Sequence, residues 1–158
     1  MKPQIILIKG KHPIRFSGSH YSVPKVQSAA AVNDNIRRRI EALESLWKST
    51  TSSRQKTAQY KYLAEVYGLY RDLREKEMAR KTTKRIAQWK NVKNYERMHS
   101  IRRIIAATSD ANNKAASRMT LALRYASLKK WSDIKHGFKS NGGIAGCAKK
   151  FSEYKRAK

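Results

Sequence analysis

Acids are scarce in this chain. Its 158 residues hold 11 Asp and Glu against 36 Lys and Arg, a formal charge of +25, and no acid precedes Asp34. Such an imbalance opposes compaction by self-repulsion unless a polyanion or salt screens it. Cysteine is almost missing: Cys147 stands alone, which excludes an internal disulfide framework and a cysteine-rich zinc site within one chain and fits a reducing compartment. The four histidines (His12, His20, His99, His136) have no ligand-like spacing, so neither a metal nor a cofactor is expected. No apolar run approaches the ~18 residues of a membrane span, and the IILI run at Ile5 to Ile8 is too short for a secretion signal. A soluble, cytoplasmic protein is expected, nucleoid- or ribosome-associated, with an organelle as the alternative.

Catalytic signatures are lacking as well. The thinly spread carboxylates form no pair suited to acid–base or metal-ion work, no phosphate-cradling glycine loop occurs, and Cys147 has no nearby histidine in sequence. An enzyme is therefore not expected.

What is present argues for folding. Hydrophobic residues make up 40% of the chain and include three Trp and eight Tyr, more than a disordered basic tail carries. The length suits one main core. Pro3, Pro13 and Pro24 are the only prolines, and Gly68 is the only glycine between Lys25 and His136. The chain is thereby expected to divide into an extended basic arm over 1–32, with a short strand at 4–8, and a helical domain over 33–158, which the charge distribution below reads as the nucleic-acid-binding part. The predicted class is all-α, a compact bundle of about five or six helices.

Ile36, Ile40, Leu43 and Trp47 recur at helical spacing after Asn33 or Asp34 as a cap, and STTSS at 49–53 reads as the following turn. A second stripe runs through Tyr60, Leu63, Val66, Tyr67, Tyr70 and Leu73. The spacing leaves open whether 56–107 is one helix or two, with Asn91 to Asn94 as the expected break. TSDANN at 108–113 restarts the chain, Thr108 or Ser109 serving as cap. The helix at 110–130 is apolar on several sides, which predicts a central position or a homo-oligomeric contact. Short helices are expected from Trp131 to Gly137 and after the NGG turn at 141–143.

The candidate contact residues follow from unbalanced charge. From Ala79 to Asn94 there are six cations, Arg80, Lys81, Lys84, Arg85, Lys90 and Lys93, and no acid. Lys81, Lys84 and Arg85 share a helix face, and a solvated face normally interleaves Glu, so phosphate contact is expected. Trp89 within this run has two readings, packing with Ile86 and Val92 or stacking on a base. Arg97, Arg102 and Arg103 form a second cluster suited to bidentate contacts. Arg37, Arg38 and Arg39 carry less weight, because Glu41 and Glu44 one turn on are placed to pair with them.

The stretch Ile144 to Phe151, IAGCAKKF, resembles the first helix of a helix-turn-helix, where I-A-x-x-A-x-x-F recurs in many bacterial regulators. Too few residues follow it for a recognition helix. That resemblance implies instead that 131–139 and 144–155 form the helix pair, with Lys149, Lys150, Tyr154 and Lys155 facing DNA; the alternative is a small helix capping the core. The acid-free arm reads as a groove-tracking arm, a ribosomal-type extension, a transit peptide or a disordered segment. The expected function is nucleic-acid binding through basic helices, DNA ahead of RNA, in an accessory, architectural or regulatory role. The alternatives are an RNA-bound structural protein such as a ribosomal protein and, third, a basic adaptor for an acidic protein or anionic membrane.

Overall fold

The structure is a computed structural model that describes residues 32–53 and 56–158. Among these residues the chain is all-helical, with seven α-helices and no strand: α1 Asp34–Ser53, α2 Lys56–Glu75, α3 Ala79–Trp89, α4 Ser100–Thr108, α5 Asn113–Leu128, α6 Ile134–Ser140 and α7 Gly143–Arg156, plus a 3-10 turn at Tyr95–Arg97. The expected arm, apart from Val32, lies outside the described residues, as does the strand at 4–8.

The apolar stripe of α2 builds the core. Tyr62, Leu63, Val66 and Leu69 are at most 1% exposed, and α2 packs on α1, α3, α4, α5 and α6. Around it Ile40, Ile86, Ile101, Ile104, Ile105, Met119, Leu123 and Phe138 are fully buried. The Tyr62 hydroxyl is paired with Thr108 Oγ1 at 2.7 Å, and burial pushes its phenol up to about 12. The centre of the bundle is thus α2, not the helix expected at 110–130. The apolar sides of α5 are covered by α7, α4 and α2 of the same chain, so its composition needs no second subunit to explain it.

The region 56–107 is three helices. The break at Asn91 to Asn94 is present, with both asparagines at positive φ (52° and 56°). A further break follows α2, where Glu77 has φ 55°, Met78 N–H donates to Leu73 O at 2.8 Å and Glu77 N–H to Arg74 O at 2.9 Å. These paired bonds close a left-handed helix end that usually employs glycine. The same closure ends α5 at Lys130, φ 54°, whose N–H bonds Ser127 O while Trp131 N–H bonds Ala126 O.

Two expected boundaries move. STTSS continues α1, because the hydroxyls of Ser49, Thr50, Thr51 and Ser52 donate back to carbonyls three or four residues earlier instead of competing with the helix. The cap of α5 is Asn112, whose side chain accepts from Ala115 N–H at 2.9 Å, four residues after Thr108.

Candidate nucleic-acid interface

Helix α3 positions the first cluster. Its inward side, Thr82, Thr83, Ile86 and Ala87, is buried against α4 and α2, which turns Arg80, Lys81, Lys84 and Arg85 away from the core. Arg80 and Lys81 are exposed, Lys84 and Arg85 half-buried. Among the described residues one ion pair is made on this face: Glu96, on the 3-10 turn, lies 3.6 Å from Lys84 Nζ and is itself 67% exposed. Arg97 and Lys93, on the connection between α3 and α4, are exposed.

Two predicted contacts are engaged elsewhere. Arg103 is 3% exposed; its Nε donates to Tyr95 O at 2.9 Å, Nη2 to Glu96 O at 3.1 Å and Nη1 to Thr83 Oγ1 at 3.3 Å. It braces α4 against the 3-10 turn and α3 and does not present a cation to a partner. Lys90 lies 2.6 Å from Glu44 and 4.5 Å from the Trp89 ring centroid, so it ties the end of α3 to α1. Arg102 is intermediate: half-buried, it donates to Asn113 Oδ1 at 3.1 Å, while its buried Nη1 has no partner. Burial lowers the pKa of both Arg102 and Arg103.

Trp89 packs on the core with Arg37 above its ring at 5.2 Å, the core reading of that residue. Two members of the triplet 37–39 are engaged, though not by their sequence neighbours: Arg37 lies over Trp89 and Arg39 Nη1 reaches Asp72 at 2.7 Å, while Arg38 is exposed and Glu44 is taken by Lys90.

The C-terminal candidates stand on a separate element. α7 packs on α5 and α6 through Cys147, Ala148 and Phe151, leaving Lys149, Lys150 and Lys155 exposed. Lys149 lies 3.9 Å from Glu153, and Lys150 donates to Asn141 Oδ1 at 2.9 Å. The helix pair α6–α7 with its tight turn is present, but it does not bring these lysines to α3.

Two arginines not singled out in the sequence, Arg74 and Arg124, join Arg103 in disfavouring the protonated form of His99. Arg71 and Arg74 fall one turn apart on α2, with Glu75 adjacent. Among the described residues no group of three or more His, Cys, Asp or Glu is placed to hold a metal ion, and no helix is long and apolar enough to cross a membrane. Comparison with known proteins returns no matching family model, no matching curated protein and no matching solved structure.

Proposed function

We propose that the protein binds nucleic acid, duplex DNA ahead of RNA, through the outer face of α3 together with Lys93 and Arg97. The observation that carries this reading is the imbalance on that face: of Arg80, Lys81, Lys84 and Arg85, carried on one helix with no acid in it, only Lys84 has an ion pair among the described residues, to Glu96. Exposed pairs of this kind are worth about 0–1 kcal/mol, so Glu96 releases Lys84 to a phosphate at little cost. An 11-residue helix with cations on successive turns suits a regular line of phosphates, and a helix fits the major groove of DNA where the narrow major groove of RNA excludes it. The role is accessory or architectural binding, driven by charge and not by a catalytic group.

The reading is tested by binding to a random-sequence duplex across a salt series. Each phosphate neutralised contributes about −0.9 to the slope of log affinity against log salt, so four to six contacts from this face predict a slope of roughly −4 to −5. An isotherm indifferent to salt would remove the proposal. A parallel series with double-stranded RNA decides between the two duplexes.

A further inference from the structure

A second basic surface lies where the C-terminal half of α2 meets the end of α5 and the residues leading into α6. An open cleft of about 430 Å³ lies between them, its walls including Tyr67, Arg71, Arg74, Ser127, Lys130 and Trp131. This is within the size range of small-molecule sites. Its charge is one-sided: three cations face one carboxylate, Glu75, and the Arg71–Glu75 contact is long at 3.8 Å, with Glu75 70% exposed. Arg74 is oriented by its Nη1 donating to Ser127 Oγ at 3.0 Å. Tyr67 belongs to the same group, since Arg71, Ser127 and Arg74 each favour its ionised form against the upward push of burial.

Trp131 lines the cleft. Its ring is edge-on to Tyr125 and Phe138, with centroids 5.6 and 6.1 Å away. A methyl group added at Gly137 would come within 2.2–2.5 Å of three ring atoms, so the glycine backbone lies flat on the indole. The ring is fixed by this packing and yet remains half-buried and part of the cleft wall. A rigid indole beside three cations and a hydroxyl combines a stacking platform with phosphate donors, the pairing used on single-stranded nucleic acid. A base pair inside a duplex, stacked on both sides, cannot offer its face to such a side chain.

Resting on the nucleic-acid reading above, we propose that this cleft receives one unpaired nucleotide of a bound strand, its base against Trp131 and its phosphate between Arg71, Arg74 and Lys130. The protein would then prefer a duplex carrying a short single-stranded tail or bulge over a blunt one.

The test compares a blunt 20-base-pair duplex with the same duplex bearing a three-nucleotide tail, by fluorescence anisotropy, for the parent and for Arg71→Gln/Arg74→Gln. The parent is expected to bind the tailed duplex about tenfold tighter, a gain within the ~1–3 kcal/mol of one stacked base. The double variant loses that preference and keeps its blunt-duplex affinity within about twofold. Should the double variant melt early, Lys130→Gln, an exposed position, is expected to reduce the same preference. Equal affinity of the parent for both duplexes, or a preference that survives in the variants, overturns the cleft assignment and leaves the α3 reading intact. Failure to bind either duplex overturns the α3 reading, and this one with it. A deoxynucleoside 5′-monophosphate that displaces the tail at micromolar concentration would make the free nucleotide the ligand and overturn the assignment to a strand.

Discussion

The Arg103 guanidinium donates from Nε to the carbonyl oxygen of Tyr95 at 2.9 Å, eight residues back along the chain. With its bonds to Glu96 O and Thr83 Oγ1, one side chain satisfies two carbonyls of a tight turn and a hydroxyl of α3. Arg103→Ala leaves these acceptors, one buried and two part-buried, without their charged donor and is expected to cost about 2 to 3 kcal/mol in chemical denaturation. Arg103→Lys should recover less than half of that, since a point ammonium cannot serve three acceptors set around a planar fork. Parent-like melting of Arg103→Ala would show that the brace is dispensable.

Trp47 joins α1 to the core by two means. Its ring centroid lies 5.0 Å from that of Tyr62, and its indole N–H donates to the Asp110 carboxylate beyond the end of α4. Because the ring is half-buried, Trp47→Ala is expected to cost about 2 to 3 kcal/mol, below the range for a fully enclosed aromatic. Trp47→Phe, which keeps ring packing and drops the hydrogen bond, should cost about 1 kcal/mol. Equal losses in urea melts would assign the whole effect to Asp110.

These residues show what was legible in the sequence. Apolar periodicity located α1 and α2, because Ile40, Leu43, Leu63 and Val66 recur at the helical period and are buried for that reason. It could not locate the end of α2, since Glu77 adopts the left-handed conformation without the glycine that normally signals it, whereas Asn91 and Asn94 did mark the next break. STTSS misled because hydroxyl residues serve turns and helices alike, and the partner of each hydroxyl decides between them. Within the candidate site, Arg102 and Arg103 are indistinguishable in sequence. Only the approach of the 3-10 turn makes Arg103 internal, and only the approach of α1 to the end of α3 gives Glu44 to Lys90 instead of to the neighbouring arginines. The cleft beside Trp131 joins residues some sixty positions apart, beyond the reach of any local pattern.

His99 makes stability depend on acid. Its Nδ1 accepts from Ile101 N–H at 3.2 Å to cap α4, a role open only to the neutral ring. Burial and the surrounding Arg124, Arg103 and Arg74 lower its pKa from 6.5 to about 4. The unfolded chain takes up this proton near pH 6.5 while the native state resists until about 4, so the contribution is complete above 6.5 and lost as pH falls from 6.5 to 4. His99→Asn retains a capping acceptor and cannot titrate, so its melting temperature should vary less than the parent's across that window. Identical pH profiles would show that His99 is charged in the native state.

The face of α3 is tested by changing Lys81, Lys84 and Arg85 together to Gln, which removes three positive charges and nearly preserves helix propensity. The Arg37–Arg39 triplet is unsuitable as a control, because Arg39 is paired with Asp72 and Arg37 lies over Trp89. Lys149, Lys150 and Lys155 on α7 serve instead, carrying the same charge on a different element. If α3 meets phosphates, its triple variant should lose affinity for all duplex sequences alike, and its salt slope should shrink by about one unit per contact removed. The α7 variant should retain most of the parent's slope. Both should melt near the parent, since the bridges removed, Lys84–Glu96 and Lys149–Glu153, are long at 3.6 and 3.9 Å with exposed glutamates, the Lys150–Asn141 hydrogen bond is exposed, and such contacts contribute little. Equal losses from the two variants would mean that binding reads only the total charge of +25 spread over the surface, and α3 would then have no claim to be the interface.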